Sequence, residues 1–330
     1  MRGLRYVQIW IHLISKRPGR SYSSGKPAFN VMATPLVSVL TTAYNREKYI
    51  AQAIESVLAS SFKDFELIIV DDCSKDHTVE IARRYTSDPR VQVHVNERNL
   101  GDYPNRNRAA SLAHGRYLKY IDSDDYIYPH GLETMVAMME RFPDSGLGLA
   151  AFPQDSARPF PIRLSPREAY FRHYFRTSIF HPGPLVAIIR KDAFDAVGGF
   201  TGKRMVGDFE LWHIVAARYP VVMMPHGLVW WRFHPEQEMQ DYRTDPQFAL
   251  TYLAVACDQL RKPECPLSAE ERLLALRQMQ HRLARLVLRT LASRQCARGV
   301  DLFRRSGRSL VELFFDAFHS VRPDRVPDPV

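Results

Sequence analysis

Tyr117-Leu118-Lys119-Tyr120-Ile121-Asp122-Ser123-Asp124-Asp125 is the stretch on which the fold turns. It reads as an apolar strand running straight into a cluster of acids. A strand so apolar is covered on both faces, the situation of a mostly parallel sheet. The same grammar recurs upstream. Leu36–Thr42 runs into Ala43-Tyr44-Asn45, and Phe65–Val70 runs into Asp71-Asp72. Further strands fall at Val91–Asn96 and Leu147–Phe152, and the fourth covers Arg116–Ile121. Helical patterns fill the gaps at Glu47–Ala59, Thr78–Tyr85, Pro104–Ala113 and Gly131–Arg141. Strands alternating with helices predict an α/β fold with helices on both sheet faces. Ligands of such sheets bind beyond the carboxyl ends of the strands. The three polar clusters fall at those ends, so they predict one site.

Downstream, residues 153–183 are rich in Pro, Arg and aromatics without a clear period, and read as a loop or short-helix insertion. A strand at Leu185–Arg190, a Gly198-Gly199 turn, a helix over Phe209–Ala217 and strands at Val221–Met224 and Leu228–Phe233 complete the core. Beyond about 245 the pattern is helical to near Ser320. An apolar stripe (Leu273, Leu276, Leu283, Leu286, Val287) faces away from Arg277, Arg282, Arg285 and Arg289. This predicts a basic tail and linker over 1–34, a catalytic-type domain over 35–240 divided near 125, and an Arg-rich helical region over 241–330.

The 330 residues are enough for a sizeable core, with an ordinary soluble balance of 45% hydrophobic and 25% charged residues. No stretch approaches the ~20 apolar residues of a spanning helix. The net charge of +9 is not spread evenly. Residues 1–20 hold five basic groups and no acid, and residues 266–330 hold twelve Arg against seven acids. Residues 21–265 hold 28 Lys and Arg against 29 Asp and Glu. A neutral centre argues against nucleic acid as partner. Basic ends suit peripheral contact with an anionic surface, and the Arg-rich helices suit packing on the sheet domain or a homodimer contact. The apolar run Tyr6 to Ile14 lacks the cleavage site of a signal peptide. It leaves an interfacial helix or a mis-started tail ahead of Met32 as alternatives. Cys73, Cys257, Cys265 and Cys296 show no metal spacing. Free thiols in a reducing cytoplasm are expected.

Crowded carboxylates raise each other's pKa unless a cation sits among them. Asp122, Asp124 and Asp125 are therefore candidates for Mg²⁺ or Mn²⁺, held together with substrate phosphates, or else form a solvated acidic turn. Asp71-Asp72 can accept from a nucleobase or ribose, or can cap the following helix. Neither a GxGxxG nor a GxxxxGK[ST] motif is present. Nucleotide binding would therefore rely on a metal rather than a glycine cradle.

Together, five motifs resemble family 2 glycosyltransferases of GT-A fold. They are Pro35-Leu36-Val37-Ser38-Val39-Leu40-Thr41-Thr42-Ala43-Tyr44-Asn45, Leu67–Asp76, Asn99-Leu100-Gly101, Arg106-Asn107 ahead of Ala113–Tyr117, and the DxD-type Asp122–Asp125. Order and spacing match over roughly residues 35–235. The resemblance implies an inverting transferase that takes a nucleotide-diphosphate sugar, a UDP-sugar first among donors, to a glycan or lipid-linked acceptor. By it, Thr41 and Tyr44 lie along the nucleoside, Asp72 binds the base, Arg106 holds the nucleotide, Asp122 approaches the ribose and Asp124 ligates the metal.

Inversion needs a carboxylate to take the acceptor proton. Relatives carry a Glu-Asp pair before an aromatic and a helix. Here the stretch is Gly207-Asp208-Phe209-Glu210-Leu211-Trp212, so Asp208 fills the base position, Glu210 is a second candidate and Gly207 departs from the pattern. Trp231-Arg232-Phe233-His234-Pro235 resembles an Arg-x-His-Pro segment of relatives. His234 is thus a candidate for metal or phosphate, or a turn cap. Trp231 is a candidate sugar platform, with core packing expected for one of Trp230 and Trp231. A binding protein that lost turnover and a sugar nucleotidyltransferase are the alternatives. Donor and acceptor choice fall to the 153–183 insertion, the loop before Asp208 and the C-terminal region.

Overall fold

The computed structural model describes residues 34–237, 246–293 and 296–318. The run Tyr6 to Ile14, the side chain of Cys296 and the chain end near Ser320 lie outside the described residues, as does the expected domain boundary at 240.

Four parallel strands form one half of an eight-stranded sheet: β1 (Val37–Ala43), β2 (Phe65–Asp71), β3 (Val91–Val95) and β4 (Tyr117–Tyr120). Between them lie α1 (Ile50–Leu58), α2 (Thr78–Arg83) and α3 (Asp102–Ser111). After β4 come β5 (Tyr126–Ile127), α4 (Gly131–Glu140), β6 (Leu147–Phe152), β7 (Ile162–Leu164), α5 (Pro166–Phe175), β8 (Ala187–Arg190), α6 (Lys191–Ala196), α7 (Gly207–Arg218), β9 (Val221–Pro225) and β10 (Val229–Trp230). The sheet order is β3-β2-β1-β4-β8-β6-β9-β7, with β8 antiparallel to β4 and β6, and β7 antiparallel to β9. The sheet is thus mixed and mostly parallel.

Alternation sorts the strands into two cores. Leu40, Ile68, Val70, Leu118 and Tyr120 face one layer, with Phe171 of α5 and Trp212 of α7. Val37, Val39, Leu67 and Ile69 face the other, with Ile54 of α1 and Met135 of α4. Helices cover both faces, as the all-apolar strands require.

Four helices follow: α8 (Pro246–Arg261), α9 (Ala269–Leu291), α10 (Cys296–Ser306) and α11 (Leu310–Phe318). Val255, Ala256 and Leu260 of α8 and Ala275 and Met279 of α9 join the first core. The far half of α9 packs a separate small core with α10 and α11 through Ala284, Val287, Leu302 and Leu313. A capping box, Ser268 with Glu271, starts α9. Among the described residues no helix is long and apolar enough to cross a membrane.

Three expectations need correction. The helix expected over Pro104–Ala113 begins at Asp102, because Pro104 is tolerated in a first turn, where its missing N–H costs nothing. The 153–183 insertion is not only loop and helix. Its β7 adds an edge strand beside β9, with α5 behind it started by a Ser165–Glu168 capping box. The strand expected over Leu228–Phe233 shrinks to two residues and pairs with β5 outside the main sheet.

Candidate active site

The rim beyond β1, β2 and β4 is organised around the start of α3. Gly101, its N-cap, has φ +89°, a conformation that glycine adopts without strain. That turn aims the Leu100 and Gly101 N–H groups at Asp72, each 2.8 Å from a carboxylate oxygen. Asn96 Nδ2 donates a third hydrogen bond, at 2.7 Å. Asp72 is buried, and one of its carboxylate acceptor positions remains for a further donor. Thr41 is buried at the end of β1, and its hydroxyl has no partner among the described residues. Tyr44, just beyond the strand, is 44% exposed.

One turn into α3, Arg106 pairs with Asp102 through Nε and with Asp122 through Nη1, both at 2.7 Å. Burial works against its charge, and the two carboxylates outweigh that cost and hold the guanidinium protonated more firmly than usual. Its neighbour Tyr103 reaches the other way. The Tyr103 O–H donates to Asp208 Oδ1 at 3.3 Å, and its oxygen accepts the Asp208 N–H at 3.3 Å. The helix thus touches Asp72, Asp122 and Asp208, which are far apart along the chain.

Asp208 opens α7, where an acid is favoured by the helix dipole. Its Oδ1 also accepts the Phe209 N–H at 2.7 Å. Burial pushes its carboxyl up to about 6, against the lowering pull of the Phe209 N–H, Arg106 and Tyr103. Glu210 does not join it. That carboxylate is buried and taken up by Thr201, by Lys203 at 2.7 Å and by Gln259 at 3.4 Å.

Asp124 stands in a cationic setting. Its Oδ2 lies 2.9 Å from Arg46 Nε and 3.0 Å from His234 Nε2. The Arg46 guanidinium also donates to the Tyr44 and Asn45 carbonyls. His234 packs on Tyr49, ring centroids 4.5 Å apart. Arg232 ties this segment down, donating from its N–H to Asp125 Oδ1 at 2.9 Å and from Nε to the Asp124 carbonyl at 2.7 Å. Burial, and then Asp122 alongside, raise the Asp125 carboxyl. Beneath the cluster the buried Lys119 donates to the Leu185 carbonyl, and burial pulls its amine down to about 7 against the raising effect of Asp122 and Asp125.

Among the described residues no group of three His, Cys, Asp or Glu side chains could hold an ion alone. Asp124 and His234 nonetheless bring a hard oxygen and an imidazole nitrogen to one point already favourable to positive charge. Such a pair fits a divalent cation that takes its other ligands from a diphosphate.

The expectation of a core tryptophan is overturned. Trp230 and Trp231 are 42% and 37% exposed, because the chain leaves its strand after Trp230. Trp231 packs on Phe233 at 4.6 Å, and Arg232 covers Trp230. Three participants escape a reading of the motifs. Lys119 has a legible signal, a lone charge inside an apolar strand. Arg46 and Tyr103 act through contacts 78 and 105 residues away, and no local pattern marks those.

The mixed, mostly parallel sheet with acids and cations gathered at its carboxyl ends is the arrangement of the GT-A fold. Residues 38–198 match glycosyl transferase family 2, and that segment belongs to the family. Over 109 residues it is 45% identical to TuaG of Bacillus subtilis (strain 168), named for teichuronic acid biosynthesis, covering 32% of this chain and 43% of TuaG. The chain spans less than half the length of the curated relatives it matches. In fold it resembles Staphylococcus aureus TarS in complex with UDP-GlcNAc, with TM-score 0.59, 19% identity, and 82% and 92% of the two chains covered. It also resembles the mannosyltransferase PcManGT from Pyrobaculum calidifontis in complex with GDP-Man and Mn²⁺, with TM-score 0.56, 18% identity, and 95% and 93% covered.

Proposed function

We propose that the protein is an inverting glycosyltransferase that moves a sugar from a nucleotide-diphosphate donor, a UDP-sugar first, to a hydroxyl of a glycan or lipid-linked acceptor. The observation that carries this is the Asp208 carboxylate. One oxygen is held by two donors, and the other, Oδ2, faces Gly183 with no hydrogen-bond partner among the described residues. A carboxylate raised to about 6 is ionised at neutral pH yet still basic enough to draw a proton. Asp208 Oδ2 takes the acceptor proton as the acceptor oxygen attacks the anomeric carbon. Asp72 accepts from the base, Thr41 and Tyr44 flank the nucleoside, and Arg106 keeps Asp122 oriented toward the ribose. Asp124 and His234 would hold Mg²⁺ or Mn²⁺, which when bound neutralises the departing diphosphate.

Two features support peripheral contact with an anionic membrane surface. Among the described residues Arg277, Arg285, Arg289, Arg298 and Arg304 carry no ion pair, and α11 exposes Val311 and Phe318, each by 79%. Release of the protein from membranes by high salt tests that contact.

The transfer reading is tested on Asp208→Asn, with nucleoside diphosphate release followed over UDP-, GDP-, dTDP- and CDP-sugars in Mn²⁺. Turnover falls about a thousandfold while donor affinity stays within about threefold. Wild-type turnover in this variant would remove Asp208 as the base.

A further inference from the structure

Gly207 stands where the family 2 pattern carries a Glu, and the structure gives that departure a cause. A Cβ built on Gly207 would lie 2.7–2.9 Å from three atoms of the Tyr103 ring, closer than real carbon contacts allow. The ring is fixed there. It is buried between α3 and α7 and packs against Phe200 with centroids 5.0 Å apart. From that position the hydroxyl reaches both the N–H and Oδ1 of Asp208.

We propose that Tyr103 is the positioning residue for Asp208, and that residue 207 is glycine in order to admit its ring. This rests on the reading of Asp208 as the base. The hydroxyl donates to Oδ1 and accepts from the main chain of the same residue, so it fixes the carboxylate plane relative to the start of α7. With Oδ1 turned to Tyr103 and the Phe209 N–H, Oδ2 is the oxygen presented to the acceptor. The phenol stays a donor throughout, because burial and then Asp208 hold it well above its usual range. The other charged or titratable groups bearing on Asp208 are Arg106 and Asp102 on α3 and Tyr252 on α8. His181 packs on the adjacent Phe209 ring. Among them Tyr103 alone is in hydrogen-bond reach, so its hydroxyl can be removed without disturbing the rest.

The experiment is a pH profile of nucleoside diphosphate release for Tyr103→Phe, which keeps the ring. A hydrogen bond to the ionised carboxylate lowers its pKa, so losing that bond raises it. The acid limb of kcat then moves up by about half to one pH unit. The rate at pH 6 falls about two- to fivefold, the gap narrows at pH 8, and the donor KM does not change. Gly207→Ala pushes the ring away and reproduces this shift, but adds nothing in a Tyr103→Ala background. An unmoved acid limb in Tyr103→Phe overturns the proposal, as does a Gly207→Ala effect of equal size in both backgrounds. Should Gly207→Ala fail to fold, the Tyr103→Phe profile decides alone. The base reading fails differently, by Asp208→Asn retaining both turnover and the acid limb.

Discussion

Two groups of carboxylates lie on this rim, and the chain treats them in opposite ways. Asp122 has Arg106, and Asp124 has Arg46 and His234. Among the described residues no cation pairs with Asp208. It has a phenol, one backbone N–H and an apolar surround that includes Phe209 and Tyr252. Opposite charge and hydrogen bonds favour the ionised form, while burial disfavours it. The first group is built to keep negative charge in place for something positive. In Asp208 burial raises the carboxyl toward neutrality, as the proposed proton acceptor requires. The contrast is the ground for proposing binding for one and proton transfer for the other, and it can be attacked from either side.

The largest effect is expected on the binding side. Asp124→Ala weakens nucleoside diphosphate binding in Mn²⁺ about a hundredfold and abolishes the difference between Mn²⁺ and EDTA titrations. Calorimetry with UDP reads both. If Asp124→Ala kept its Mn²⁺ dependence while Asp208→Asn lost it, the two assignments would have to be exchanged.

A smaller effect concerns stability, and its sign separates the two groups. The Asp208 carboxyl sits at about 6 in the folded chain against an ordinary 3.8. The folded state therefore binds this proton more tightly than the unfolded state does. No penalty exists below about pH 4. It grows as pH rises toward 6 and is constant above that. Asp208→Asn escapes the penalty, so this variant should be more stable by about 1–3 kcal/mol at pH 7. Thermal melts at pH 4 and pH 7 check this. A gain that persists at pH 4, or no gain at pH 7, would show that burial does not hold the proton.

How legible each group is in the sequence follows from how each is built. The acids of the rim sit at strand ends, where an apolar run changes abruptly to Asp, so Asp72, Asp122 and Asp124 can be read from a string of letters. The strands themselves are legible because both faces are buried. The Asp208 pocket is assembled from α3, α7 and α8, whose contributions come from Tyr103, Phe209 and Tyr252. Their apolar periodicity says only that they are helices. Gly207 looks like a loss until the Tyr103 ring is seen in its place. The β7 strand escaped because three residues, Ile162–Leu164, are too few to show a period, and only the neighbouring β9 gives them a partner.

The smallest effect probes the positive charge already at Asp124. Arg46 Nε and His234 Nε2 share one carboxylate oxygen, and the Arg46 side chain is 22% exposed. A partly exposed pair of this kind contributes on the order of 1 kcal/mol or less. A divalent cation must take that oxygen from the guanidinium. Arg46→Gln removes the competitor and leaves Asp124 and His234 intact. Mn²⁺ affinity in the presence of saturating UDP should therefore rise about threefold, as read from the Mn²⁺ electron paramagnetic resonance signal. Weaker Mn²⁺ binding in Arg46→Gln would mean that the guanidinium serves the phosphates rather than shielding Asp124. The binding side of the rim would then include Arg46 as a partner of the substrate.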